Sequence, residues 1–194
     1  MPSSGRGYWF KIVLYLAAYV VPAAIVWGLL GLALGWFHAM ALVLPLLGLG
    51  YALWFGIVET LHLPVSPPEL AWQVPSSWIR GRRFVVQTLT WGTLLGPGLL
   101  TRNPYAGMWL LPLLLGLHRS LLPAVTLGIG IGAAHGIARA LGVLSNRTCM
   151  EADGDAHLRI MAAQSRWQYV DGLFLLLAAG ALAAYTLSLL GAQL

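Results

Sequence analysis

The run from Ile12 to Phe37 contains no charged side chain, and neither does the run from Gly172 to Leu194. Each exceeds the roughly 20 apolar residues that cross a hydrocarbon core about 30 Å thick. Over the whole chain of 194 residues, 59% of side chains are hydrophobic and only 9% are charged. A soluble domain needs roughly a quarter of its residues charged to cover its surface. Lipid must therefore cover most of this chain. The run from Ile12 is too long for the h-region of a signal peptide and lacks a convincing cleavage site, so it reads as a retained first helix. These features predict an all-α, polytopic membrane helix bundle: one integral membrane domain over residues 1–194, with polar loops at 62–83 and 145–169 and multi-pass in a cell (inner) membrane.

Charge narrows the class further. Eleven Lys and Arg stand against six Asp and Glu, a net +5. In a membrane protein such an excess marks the cytoplasmic loops and binds anionic lipid headgroups. No basic stripe interleaves with aromatic side chains, so nucleic acid is not an expected partner. Membrane lipids are. The one cysteine, Cys149, excludes an intramolecular disulfide, a CxxC redox pair and a cysteine-based metal site. HExxH, GxSxG, Walker A and dinucleotide-binding glycine patterns are absent, so neither an enzyme nor a cofactor is expected.

Along the chain, a first helix is expected over about 8–35, with Pro22 inside it and Gly31 and Gly35 as a small-xxx-small pair. A second follows over about 39–61, with Glu59 near its end at the interface. Prolines at 64, 67, 68 and 75 stop helix formation in the next loop, which ends in Arg80-Gly81-Arg82-Arg83 and reads as cytoplasmic. The stretch from Phe84 to Leu122 is apolar at both ends but broken at Gly96-Pro97-Gly98-Leu99-Leu100-Thr101-Arg102-Asn103-Pro104. It forms either two crossings or one discontinuous crossing. Six transmembrane helices follow from the number of apolar runs. Five follow from the charge rule, because one discontinuous crossing puts both Arg-rich segments on the same side. Six is the expectation adopted.

The next helix, over about 121–144, carries Gly128, Gly132 and Gly136 at a strict four-residue spacing, a ridge along which another helix can approach closely. His135 and Arg139 share a face of that helix. Arg139 is positioned either to snorkel to the interface or to pair with Glu59 or Asp171. His135 is either a ligand for a metal, haem or pigment, or a packing residue. Asn146-Arg147-Thr148 fits a glycosylation triplet, of a kind common by chance. Ala156 to Trp167 reads as a short interfacial helix.

Three pieces carry a resemblance: Trp91-Gly92-Thr93-Leu94-Leu95-Gly96-Pro97-Gly98, the break Thr101-Arg102-Asn103-Pro104-Tyr105-Ala106, and Ala134-His135-Gly136-Ile137-Ala138-Arg139-Ala140-Leu141-Gly142-Val143-Leu144. Together they resemble the membrane domain of the CcdA/DsbD group in the LysE-type transporter superfamily. The resemblance spans Trp91 to Leu144 and implies six helices in two inverted repeats, with broken helices at a central site. The thiol-carrying members of that group need two cysteines near the prolines. Here Thr101, Arg102 and Asn103 occupy the break, so a dithiol relay is excluded.

The resulting expectation is a small CcdA-like protein that conducts or binds a small solute. Thr101, Arg102, Asn103, Pro104 and Arg139 would form its binding site. Gly31, Gly35, Gly128, Gly132 and Gly136 would pack the helices behind it. Arg102 either lies in a short surface loop and contacts lipid headgroups, or lies at membrane depth, where its charge costs several kcal/mol and a functional role becomes the default reading. The alternative is an accessory subunit of a larger respiratory, photosynthetic or biogenesis complex, with other membrane subunits as partners.

Overall fold

A computed structural model describes residues 5–36, 42–68, 75–99, 105–118, 120–150 and 156–192. They form six α-helices: α1 (Gly5–Trp36), α2 (Val43–Thr60), α3 (Phe84–Leu95), α4 (Gly107–Leu115), α5 (Leu121–Met150) and α6 (Ala156–Gly191). A 3-10 turn at Ser76–Trp78 precedes α3. Four helices are long and apolar enough to cross a membrane: Gly7–Trp36, Val43–Thr60, Leu121–Val143 and Gln164–Gly191. The outward faces bear this out. Leu29, Leu47, Leu177 and Leu187 are all exposed, Leu177 by 76%. A soluble protein rarely leaves so continuous an apolar surface uncovered. These are the properties of a multi-pass membrane helix bundle.

Two antiparallel helix pairs build the frame. In the first, α1 meets α5 along glycine. A methyl group on Gly128 would strike the Trp27 carbonyl oxygen, on Gly132 that of Ala23, and on Gly31 that of Ala124. Gly35 and Gly136 continue the same line, against Ala124 and Tyr19. Removing side chains lets the backbones touch, so dispersion contacts replace the hydrophobic driving force that lipid cannot supply. In the second pair, α2 runs against α6. Gly56 accepts the Leu176 side chain, Gly48 faces Leu182, and Gly172 fits under Thr60.

The two remaining helices are short. α3 has 12 residues and α4 has 9. At 1.5 Å per residue they are about 18 Å and 14 Å long, and neither reaches across about 30 Å of hydrocarbon. This differs from the expectation that the two halves of Phe84–Leu122 each nearly cross. Gly96, Pro97 and Gly98 lie outside regular helix because Pro97 offers no amide proton to a ladder and Gly98 turns the chain with φ of +75°.

The direction of both short helices follows from their neighbours. Phe84 lies under Lys11 at the start of α1, Gly92 against Ala18 and Gly96 against Tyr19, so α3 runs parallel to α1. Ala106, just before α4, meets Glu59 at the end of α2, whereas Gly116, just after it, meets Leu44 at the start of α2 and Leu34 late in α1. Thus α4 runs antiparallel to α2 and continues in the direction of α3. It is wedged between the two pairs. Leu110 joins the core of α2 and α6, with Phe55, Leu175 and Leu182, while Met108 and Leu115 pack with Trp27 of α1.

The polar segment expected at 145–169 is largely helical. α5 continues to Met150, and α6 starts at Ala156 and runs unbroken into its apolar part. Ala, Leu, Arg, Met and Gln dominate 156–166, and all are strong helix formers, so the helix begins well before the apolar span Gln164–Gly191.

Candidate functional site

The first amides of a helix have no partner inside it. In α4 the residue before the helix, Ala106, offers no side-chain cap. The missing acceptors come from elsewhere in the chain. The Ala106 N–H donates to Glu59 Oε1 at 2.7 Å, and the Gly107 N–H donates to Asp171 Oδ2 at 2.7 Å. One acid comes from the end of α2 and the other from the start of the apolar part of α6. Two hydrogen bonds to carboxyl oxygens therefore hold the positive end of the α4 dipole between the second helix pair. Tyr51, two turns before Glu59 in α2, closes the arrangement by donating its hydroxyl to the Ala106 carbonyl at 2.9 Å.

Glycine makes room for this. A methyl group on Gly107 would meet the Asp171 carboxylate, and one on Gly172 would meet Thr60. Because they accept from consecutive amides, the two carboxyl groups are neighbours, and Asp171 acts electrostatically on Glu59. Glu59 is only 6% exposed, and its Oε2 has no hydrogen-bond partner among the described residues. A buried carboxyl oxygen without a donor is costly and uncommon in a folded protein.

Glu59 also lines a cavity of about 720 Å³ with His62, Pro64, Ser66, Gln164 and Gln168. The cavity sits at the end of the bundle where α2 finishes and the apolar part of α6 begins. Its rim is a strap of chain held by His62, whose φ is +52°. The His62 Nε2 lies 3.1 Å from Ser165 Oγ and 3.3 Å from the Ser165 carbonyl, and the ring stacks near Tyr169.

The break forms a second polar locus. Gly96, Pro97 and Gly98 are buried at the level of Tyr19 to Trp27, and the Trp27 Nε1–H donates to the Pro97 carbonyl at 3.0 Å. The His135 ring packs on Gly98 beside Met108, and its Nε2 has no partner among the described residues. Arg139 lies one turn further along α5 beside Tyr19. The side chain acting electrostatically on Arg139 is Tyr19, not Glu59 or Asp171, each of which gives one oxygen to an α4 amide. No group of three or more His, Cys, Asp or Glu suited to a metal occurs among the described residues. Thr101, Arg102, Asn103 and Pro104 lie outside the described residues.

The acid pair was not read from the sequence as a site. The available signal was that Glu59 and Asp171 are lone acids at the ends of uncharged runs, each close to a glycine, Gly56 and Gly172. Comparison with family models, with curated proteins and with solved structures finds no match for this chain.

Proposed function

We propose that this protein is a small-solute carrier of the inner membrane, with five crossings, whose third crossing is the broken pair α3 and α4. The observation that carries the reading is the buried start of α4, held by Glu59 and Asp171 next to a polar cavity that Glu59 itself lines. Broken helices with their termini in the bundle interior are the recurring solution for binding a polar solute within a membrane. Acids inside a helix bundle serve function by default. A cavity of about 720 Å³ lies within the range of small-molecule sites, and its Gln164, Gln168, His62 and Ser66 side chains suit a small polar solute. Arg102, in the connection between the half-helices, is the further binding residue expected from the sequence. The resemblance to the CcdA/DsbD group agrees with a carrier but rests on the short motifs alone.

The test is stopped-flow light scattering of reconstituted vesicles challenged with glycerol, urea, methylammonium or acetate. Faster entry of at least one solute than in protein-free vesicles is expected, with loss in Gln168→Trp, which fills the cavity, and in Arg102→Ala. Rates equal to protein-free vesicles for every solute would defeat the reading.

One observation favours the second reading, an accessory subunit. The outer groove between α1 and α5, about 510 Å³, is lined only by apolar side chains and Gly28, a shape that accepts another helix as readily as lipid. Native mass spectrometry of the protein drawn from its own membrane in mild detergent separates the two. Stoichiometric partner chains would make it a subunit.

A further inference from the structure

We propose that Glu59 and Asp171 together form a proton-exchange site that sets how firmly the start of α4 is held. The inference deepens the carrier reading and rests on it for its consequence in transport, but the chemistry of the pair is tested without transport. Three observations support it. Each carboxylate takes one of two consecutive amides at the α4 N-terminus, so their charges are part of what holds that helix in place. Glu59 is more than nine-tenths buried and keeps Oε2 without a donor, a vacancy that a proton shared with Asp171 fills. Glu59 also lines the cavity at the bundle end, which gives protons a route in.

The groups facing the pair make it a site for a proton rather than an ion pair. Tyr51 comes from α2, Tyr105 from the residue pair before α4, and His62 from the strap over the cavity. The charged neighbour acting on Glu59 is Asp171, another acid, and no Lys or Arg among the described residues offsets it.

The step balances simply. One proton enters from the cavity and bonds to Glu59 Oε2, one negative charge is lost, and the new O–H donates to the Asp171 carboxylate. No bond breaks other than the one that delivered the proton. The Ala106 N–H then donates to a neutral carboxyl, and a neutral hydrogen bond is roughly half as strong as a charge-assisted one. The attraction between the carboxylate and the helix dipole falls with it. Proton uptake thereby loosens α4 from the α2–α6 pair, and release tightens it. Because α4 also packs on Trp27 through Met108 and Leu115, its movement reaches the first helix pair.

The experiment is infrared difference spectroscopy of the whole chain in detergent, titrated in water and in deuterium oxide. The other acids contribute equally to wild type and variants and cancel between them. The expected result is a protonated-carboxyl band, shifted by deuterium, that is lost in Glu59→Gln and changes its titration midpoint in Asp171→Asn. A band with the same amplitude and midpoint in wild type and in both variants would overturn the site, as would no such band in wild type. If circular dichroism shows Glu59→Gln unfolded, the Asp171→Asn midpoint decides alone. In vesicles, flux of a carried solute should depend on pH in wild type and lose that dependence in Glu59→Gln. Absence of any flux alongside the coupled infrared band would remove the carrier reading and leave the proton site standing.

Discussion

Gly98 shows how one residue can be required twice. Its φ of +75° lies in the left-handed region, and the His135 ring occupies the space where a Cβ would go. An L side chain in that conformation costs about 1–2 kcal/mol before any collision is counted. Gly98→Ala is therefore expected to lower stability in detergent by at least that amount, measured by thermal unfolding. Gly50→Ala makes the matched control. Gly50 lies inside α2 with nothing within 4 Å of an added Cβ, so the exchange should stabilise the helix by up to about 1 kcal/mol. Equal effects at the two positions would mean that the break is not a tightly determined turn.

At the scale of the helices, close approach of α1 and α5 depends on which glycines face inward. Gly132 lies on the Ala23 carbonyl, whereas Gly130, two residues earlier, has nothing within 4 Å. Gly132→Leu should push the pair apart and cost about 1–3 kcal/mol, the usual range for overfilling a packed interface. Gly130→Leu should be close to neutral, because its side chain points into lipid. Thermal unfolding of both variants checks the contrast, and a large loss at Gly130 with none at Gly132 would reverse the packing face. The four-residue spacing of Gly128, Gly132 and Gly136 made this ridge legible in the sequence, since periodicity alone places them on one face. The long apolar runs of α1, α2, α5 and α6 were legible for a similar reason, length being a local property. The break at Gly96–Gly98 was also visible as composition. What composition does not encode is where the chain goes after a break. The direction of α4 is set by Leu110 packing among α2 and α6 and by two acids on distant helices. Glu59 looks interfacial in its own segment and Asp171 merely precedes an apolar run, and only the fold brings them to adjacent amides.

For the whole molecule, the helix directions carry a consequence for orientation. α1, α3, α4 and α6 all run one way, and α2 and α5 run the other. The ends of α2 and α5 and the starts of α1, α3 and α6 therefore share one face. The segments at that face contain Arg6, Lys11, Arg80, Arg82, Arg83, Arg147, Arg159 and Arg166, while the connections at the opposite face contain only Arg119. Positive loops stay in the cytoplasm. With five crossings, one of them broken, every Arg-rich segment is cytoplasmic and the chain ends outside. With six crossings and a cytoplasmic start, the segment between α5 and α6 would be exported together with its arginines. The two arrangements differ at the C-terminus and at Cys149, the one native thiol. Alkaline phosphatase fused after Leu194 is expected to be active and the same enzyme fused at Ser66 silent, with the reverse pattern for a green fluorescent protein. Cys149 should resist a membrane-impermeant maleimide in intact cells and react after lysis. A silent C-terminal phosphatase with Cys149 labelled from outside would require α3 and α4 to cross separately and in opposite directions, against their shared course and their lengths of about 18 Å and 14 Å.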